Sequence, residues 1–123
     1  MYILVTGGTG FIGKKVVLQL AKRNKKIVVA DINLGTNKKE LINNYTSLGF
    51  DINNLIFEKI DLINHKNIND LFKKYTFNAV IHLAYGIGKV CEDNPVLASQ
   101  INIVGTTYIF EKVYYCNYLM KKI

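Results

Sequence analysis

Hydrophobic and polar residues follow two different spacings along this chain. Four short apolar runs, rich in β-branched residues and closed by glycine or charged residues, predict buried strands at 2–6, 26–31, 55–60 and 79–84. Between the runs, apolar residues return every three or four positions, which predicts helices at 11–24, 37–48, 64–75 and 94–118. Asn94-Pro95 opens the longest helix with a cap residue and a proline at the first helical position. Residues 121–123 are typical of the start of another strand.

The order of these elements predicts an α/β fold. Strands that are apolar throughout and separated by helices indicate one parallel sheet with helices on both faces. Right-handed crossovers place the first strand in the middle and give the strand order 3-2-1-4. The 123 residues fit a single domain, 1–123. A ligand of such a sheet binds outside the carboxyl ends of strands one and four, where the strand order reverses direction.

The composition is that of an ordinary globular domain and excludes several classes of function. Half the residues are hydrophobic and a fifth are charged. The net charge is +7, but the lysines are scattered pairs at predicted helix ends, so we expect neither a nucleic-acid nor a membrane partner. Cys91 and Cys116 lack metal or redox spacing, and no metal site is predicted. The sequence shows no secretory leader and no apolar run of about 18 residues, so a cytoplasmic protein is expected.

The turn after the first strand carries a glycine pattern suited to a dinucleotide. Residues 6–13 read Thr-Gly-Gly-Thr-Gly-Phe-Ile-Gly and contain both G-x-G-x-x-G and G-x-x-G-x-x-G. Such a turn needs free backbone angles, bare backbone where a pyrophosphate approaches, and a helix packed close to the sheet. The helix amides and dipole then hold the diphosphate. With a strand before it and a helix after it, the motif predicts a Rossmann-type unit; the alternative is a turn that serves the fold alone.

Acidic residues end two of the other strands. Asp31 lies 18 residues after the last glycine of the motif, where a carboxylate accepts hydrogen bonds from an adenosine ribose; the alternative is a turn-forming aspartate. A carboxylate there repels a 2′-phosphate, so NAD is predicted, although Lys38 and Lys39 leave NADP open. Asp61 suits either an adenine contact or a turn cap. His82, among apolar neighbours, is predicted to be a packed core histidine.

These residues resemble the amino-terminal part of the extended short-chain dehydrogenase/reductase family, in particular the NAD-dependent epimerase/dehydratases that act on nucleotide sugars. The matching blocks are 6–13, Asp31, Asp61-Leu62, 79–84, Asn94-Pro95 and 102–106, and they cover nearly the whole chain. The resemblance implies that NAD is the cofactor. It implies a cofactor site made of Gly7, Gly10, Phe11, Ile12 and Gly13 at the pyrophosphate, Asp31, Ile32 and Asn33 at the adenosine ribose, Asp61 and Leu62 at the adenine, Leu83, Ala84, Tyr85 and Gly86 at the nicotinamide side, and Asn102 in support.

Two positions depart from the family pattern, and the family's catalytic residues are not expected here. Lys14 stands where a small polar residue is common, and Tyr85 replaces the second alanine usual after His-Leu-Ala. The resemblance places the catalytic serine or threonine and the Tyr-x-x-x-Lys pair beyond residue 123. Tyr118 and Lys122 share that spacing, but they end the long helix on the side of the sheet opposite the cofactor crevice, so no catalytic residue is predicted.

Three functional interpretations follow. The first is the NAD-binding amino-terminal part of a nucleotide-sugar epimerase or dehydratase, itself not catalytic, with a nucleotide sugar bound only in a full-length form. The second is a stand-alone dinucleotide-binding module or a subunit completed by a partner. Strand four would be an apolar, unprotected sheet edge, so we expect a homo-oligomer or a strand-completing partner. The third is a decayed gene product with no function.

Overall fold

The computed structural model describes residues 1–121, with side chains up to residue 116, and contains one four-stranded parallel sheet. The strands are β1 (Tyr2–Thr6), β2 (Ile27–Asp31), β3 (Leu55–Lys59) and β4 (Phe77–His82). They are ordered β3-β2-β1-β4, and every neighbouring pair is parallel. The predicted parallel sheet in the order 3-2-1-4 is therefore confirmed.

Six α-helices lie in the described residues: α1 (Phe11–Lys22), α2 (Gly35–Ser47), α3 (His65–Lys74), α4 (Lys89–Asp93), α5 (Pro95–Ser99) and α6 (Thr106–Lys121). A 3₁₀ turn covers Ile52–Asn54, and a π-helical segment, Gln100–Gly105, joins α5 to α6. The predicted long helix is thus continuous but contains a π turn, and α4 was not predicted. Lys121 belongs to α6, so no strand begins at this residue, contrary to the prediction. Lys122 and Ile123 lie outside the described residues.

Contacts within the chain divide it into two compact units. The first, which we call the sheet unit, comprises Met1–Ile60 and Tyr75–Ala84 and holds all four strands with α1 and α2. The second, the helical unit, comprises Asp61–Lys74 and the chain from Tyr85 onward.

Apolar residues of the central strands form the core of the sheet unit. On one face, Ile3, Val5, Ile27 and Val29 pack with residues of α1 and α2, among them Val17, Ala21, Leu41 and Tyr45. Leu4 and Val28, whose side chains point to the opposite face, are also fully buried. The two central strands are therefore buried on both faces, as their unbroken apolar runs predict.

Both helices of the sheet unit end in the same hydrogen-bonded motif. After α2, Gly49 takes φ +82° and donates to the Thr46 carbonyl, while the Phe50 amide donates to the Tyr45 carbonyl. After α1, Asn24 takes φ +56° in the equivalent position. This is the Schellman arrangement, which satisfies the last carbonyls of a helix, and it confirms Gly49 as the predicted stop of α2.

The last strand lies two residues earlier than its apolar run predicts. β4 covers Phe77–His82 rather than 79–84, and its pairing with β1 ends at Thr6 opposite His82. The last bond of the ladder is donated by the Leu83 amide to the Thr6 carbonyl, and the same amide also contacts the Thr6 hydroxyl oxygen. Partner length, not hydrophobicity, ends the strand. No residue of β4 is buried, because within the described residues it is an edge strand.

The helical unit is organised around contacts of α3 and α6. The ring of Tyr108 on α6 stacks on His65 of α3 with centroids 4.2 Å apart, and its hydroxyl donates to Asn69 at 3.1 Å. Gly105 lies so close to Leu62 that a Cβ on the glycine would be 3.0 Å from the leucine Cβ. At the start of α5, Asn94 accepts a hydrogen bond from the Leu97 amide at 3.0 Å, which confirms the predicted cap.

Candidate dinucleotide-binding site

The turn between β1 and α1 is built from glycines that the chain's own atoms require. Gly7 takes φ +66°, and a Cβ there would lie 2.8 Å from the Ala84 amide nitrogen. A Cβ on Gly13 would lie 2.1 Å from the Gly7 carbonyl oxygen, and one on Gly8 would lie 2.7 Å from a methyl carbon of Val29. Side chains at these positions would push the turn away from the sheet or from α1, so the fold itself explains these three glycines.

Gly10 is different, because its backbone angles do not require glycine and a side chain there would make only one tight contact with the described residues. Its φ of −72° and ψ of 179° are open to any residue. A Cβ there would meet only the Gly7 carbonyl oxygen, at 3.3 Å. The direction in which its side chain would point is otherwise open space at the beginning of α1.

The beginning of α1 presents backbone donors to that space. The amides from Phe11 to Gly13 have no acceptor within the helix, and no described side chain caps this end. The side chains of Phe11 and Ile12 are 78% and 63% exposed. Uncapped amides and the positive end of the helix dipole make this a favourable place for an anion.

Asp31 ends β2 beside the same turn. Its Oδ2 accepts from the Thr9 hydroxyl at 2.7 Å and from the Thr9 amide at 3.3 Å. Its Oδ1 accepts only a long contact, 3.5 Å, from the Asn33 amide. The next residues, Ile32 and Asn33, are exposed. One carboxylate oxygen is therefore tied to the glycine turn, and the other faces the exposed segment that follows β2.

A second network holds the carboxyl end of β4. The Thr6 hydroxyl oxygen accepts from the amides of Leu83 and Ala84 at 3.1 and 3.3 Å. It also lies 2.5 Å from His82 Nδ1. Because both amides donate toward the hydroxyl oxygen, we assign the hydroxyl proton to the bond with Nδ1, which then acts as the acceptor. Burial lowers the pKa of His82, which favours this neutral form. The predicted core histidine is half-buried and holds the strand end.

In the helical unit, Asp61 and Leu62 have structural partners. The Asp61 carboxylate accepts from the Ile63 amide at 3.1 Å, and its backbone carbonyl accepts from Asn64 at 3.0 Å, so it caps a turn. Leu62 is 7% exposed and lies against Gly105. Of the two interpretations of Asp61, these contacts support the turn cap, and the adenine contact stays a prediction.

Asn102 makes a paired contact with the segment that follows β4. Its Nδ2 donates to the Gly86 carbonyl and its Oδ1 accepts from the Gly86 amide, both at 2.8 Å. The Cys91 thiol donates to the same carbonyl at 3.1 Å. Asn102 lies in the π-helical segment. Tyr85, the residue before Gly86, is 64% exposed. The side-chain amide of Asn102 thus fixes one backbone unit, and its support of a cofactor stays a prediction.

The sequence reasoning missed Thr6 and Thr9. They are the buried polar residues among those described, each 2% exposed. Their positions in the motif gave the only local signal, because their partners lie 76 and 22 residues away. The described residues contain no group of histidine, cysteine and acidic side chains that could hold a metal ion. No described helix is long and apolar enough to span a membrane.

Comparisons with known proteins agree on a family. A model of the NAD-dependent epimerase/dehydratase family matches residues 3–119. UDP-glucose 4-epimerase 1 of rice is 35% identical over 111 residues, 89% of this chain and 31% of that protein. The bifunctional UDP-glucose and UDP-xylose 4-epimerase 3 of Arabidopsis thaliana is 40% identical over 113 residues, 89% of this chain and 32% of that protein.

A solved structure gives the same result. The Thermus thermophilus UDP-glucose 4-epimerase, crystallised with NAD, has 30% identity and a TM-score of 0.76 over 95% of this chain and 35% of that one. The chain spans about a third of the length of the curated relatives that it matches.

Proposed function

Because this chain belongs to the NAD-dependent epimerase/dehydratase family, we propose that it is the NAD-binding amino-terminal part of a nucleotide-sugar epimerase or dehydratase similar to the UDP-glucose 4-epimerases. NAD is the cofactor of the family, in agreement with the sequence prediction. When bound, NAD supplies a hydride acceptor and donor, and the residues of this chain bind and orient it. The action of the whole protein on a nucleotide sugar is part of the proposal.

The observation that carries the proposal is the space beside Gly10 at the uncapped start of α1. The chain's own packing requires glycine at positions 7 and 13, whereas a Cβ on Gly10 would make one tight contact, 3.3 Å from the Gly7 carbonyl oxygen, and would otherwise enter open space. That single contact leaves the choice of glycine at position 10 to be explained. A pyrophosphate explains it, because phosphate oxygens must approach bare backbone to reach the amides of Phe11 and Ile12. The residues of the turn therefore fit the cofactor that the family name indicates.

Asp31 supports NAD over NADP. Its carboxylate stands at the end of β2 with Oδ1 toward the exposed segment 32–33, where an adenosine ribose can donate hydrogen bonds. A 2′-phosphate would meet a negative charge there. Of the two lysines that leave NADP open, Lys38 has another partner, since its Nζ lies 4.9 Å from the centre of the Phe57 ring, and Lys39 is exposed.

The other cofactor contacts predicted from the sequence are part of the same proposal. Leu83 and Ala84 follow β4 and are fixed by Thr6, which suits the nicotinamide side of the cofactor. Tyr85, Gly86 and Asn102 are proposed for the same end, Asp61 and Leu62 for the adenine, and Ile32 and Asn33 for the ribose.

The test is calorimetric titration of the chain with NADH and NADPH. We expect NADH to bind more tightly. Gly10→Ala should weaken NADH binding about tenfold or more, since overfilling a packed space costs about 1–3 kcal/mol. Asp31→Ala should narrow the gap between the cofactors. Gly49→Ala is the control, because Gly49 follows α2, its added carbon would meet nothing within 4 Å, and the substitution should leave affinity unchanged. Tighter NADPH binding by the unmutated chain, or full affinity in Gly10→Ala, would refute the proposal.

The free edge of β4 favours a second candidate, a subunit completed by another strand. In the described residues β4 pairs only with β1, and Asn78 and Ala79 are exposed. An apolar edge strand without proline or lysine promotes association. A chain that binds NADH only as an oligomer, in light scattering coupled to the titration, would support this candidate over a self-sufficient module.

A further inference from the structure

Thr9 has no role in the motif as the sequence presents it, yet it is buried and bonded to a charged group. It is 2% exposed, and its hydroxyl donates to Asp31 Oδ2 at 2.7 Å. The same hydroxyl is 3.5 Å from the Asn33 carbonyl, so Asp31 is its near partner. A hydroxyl that donates to a carboxylate makes a short, charge-assisted hydrogen bond.

These bonds restrict the carboxylate of Asp31. Both the hydroxyl and the amide of Thr9 donate to Oδ2, so rotation of the carboxyl group away from the turn breaks two bonds at once. Oδ1, in contrast, has only the 3.5 Å contact with the Asn33 amide. The carboxylate therefore presents a fixed edge and a fixed charge toward the segment after β2.

We infer that Thr9 is a specificity-determining positioning residue, which locks Asp31 so that the site accepts a ribose diol and rejects a 2′-phosphate. The inference rests on the proposed function, because it concerns the carboxylate proposed to bind the ribose. A locked carboxylate offers Oδ1 to a diol without first paying the entropy of ordering it. It also cannot turn away from a phosphate, so the repulsion is kept.

Removing the Thr9 hydroxyl should change both the binding of the ribose diol and the rejection of the 2′-phosphate. Thr9→Val keeps the volume of the buried side chain but leaves only the amide as a donor to Oδ2. Asp31 can then rotate, so NADH binding should weaken about three- to tenfold, the scale of one hydrogen bond of about 1 kcal/mol. NADPH binding should weaken less or strengthen. Thr9→Ser retains a hydroxyl and should restore the selectivity of the unmutated chain.

The experiment measures Kd for NADH and NADPH in the unmutated chain, Thr9→Val, Thr9→Ser and Thr46→Val. Thr46 is a matched control, because its hydroxyl donates to the Ile42 carbonyl on α2 and does not contact Asp31. Thr9→Val in the Asp31→Ala background completes a double-mutant cycle. In that background Thr9→Val should not further change the ratio of the Kd for NADH to the Kd for NADPH. A persisting effect in that background would overturn the inference, because Thr9 would then act through the turn and not through Asp31.

A second measurement does not need the cofactor. The carboxyl ¹³C resonance of Asp31 should move in Thr9→Val and return in Thr9→Ser, with circular dichroism checking the fold of each variant; Thr9→Ala replaces the valine variant if that one does not fold. An unmoved resonance, or a Kd ratio equal to that of the unmutated chain, would overturn the inference. An unmutated chain that binds no NADH but shows the resonance change would refute the proposed function, and with it the selectivity role, while keeping the contact.

Discussion

Gly13→Ala separates the steric demand of the glycine turn from the helix propensity of the residue. Alanine in a helix is more favourable than glycine by about 1 kcal/mol, so propensity alone predicts that this substitution stabilises α1. The structure predicts the opposite. The added carbon would lie 2.1 Å from the Gly7 carbonyl oxygen and 2.6 Å from Gly8 Cα, and both are backbone atoms that no side-chain rotation can move.

The size of the effect follows from the displacement that the clash requires. An ordinary contact is about 3.5 Å, so α1 and the turn must separate by more than 1 Å, roughly. Forcing backbone shifts in a packed interior costs about 1–3 kcal/mol or more. With the upper value and the gain in propensity, the net loss is about 2 kcal/mol, or about 8 °C in Tm for a chain of this size.

Thermal and urea unfolding followed by circular dichroism measure this loss, and Gly49→Ala calibrates it. At Gly49 the added carbon meets nothing within 4 Å, but φ is +82°, so its cost is backbone strain alone, about 1–2 kcal/mol. We expect Gly13→Ala to be at least as destabilising as Gly49→Ala. If the Tm of Gly13→Ala equals or exceeds the Tm of the unmutated chain, α1 does not approach the turn as closely as described, and the reasoning is refuted.

Three further predictions follow from the described contacts. Because burial lowers the pKa of His82, the unfolded chain takes up a proton there at higher pH than the folded chain, so the free energy of unfolding should fall as pH drops below about 6.5. His82→Asn, which keeps an acceptor, should reduce the pH dependence of that free energy in urea titrations from pH 7 to 5. An equal pH dependence in the variant would contradict the hydrogen-bond network of Thr6 and His82. Asn102→Leu removes the donor and the acceptor that the Asn102 side chain offers to Gly86, leaving the Cys91 thiol on the Gly86 carbonyl, and should cost about 2 kcal/mol; unchanged amide exchange at Gly86 would contradict this paired contact. Ala79→Lys should reduce association at the β4 edge in light scattering, and equal association would point to another surface.

Helix caps and buried strands could be predicted because their causes are local. Gly49 ends α2 through its own backbone angle, and Asn94 caps α5 through a bond to an amide three residues on. The apolar run of β1 ends at Thr6-Gly7, and that of β2 lies between Lys26 and Asp31, so these ends could be predicted to within one residue. Such features depend on neighbours in the sequence, which is the information that a pattern contains.

Features set by distant partners could not be predicted in the same way. The apolar run that contains β4 continues to residue 84, but the strand ends at His82 because its partner ends at Thr6. The π turn between α5 and α6 contains Asn102, whose side chain is bonded to Gly86, 16 residues away. Neither pairing changes the spacing of apolar residues, so periodicity could not reveal it.

The two buried threonines indicate the site independently of the glycine pattern. A buried hydroxyl without a partner costs about 1–3 kcal/mol, so a chain gains nothing from threonine at such positions unless the hydroxyl holds something in place. Among the described residues, buried polar side chains occur only at Thr6 and Thr9, on either side of Gly7-Gly8. Each is bonded to a polar residue at the carboxyl end of a neighbouring strand, His82 at β4 and Asp31 at β2. Departures from an apolar interior are expected where function requires them. These threonines and their partners lie at the carboxyl ends of three adjacent strands, so burial and hydrogen bonding point to the same edge of the sheet as the glycine pattern does.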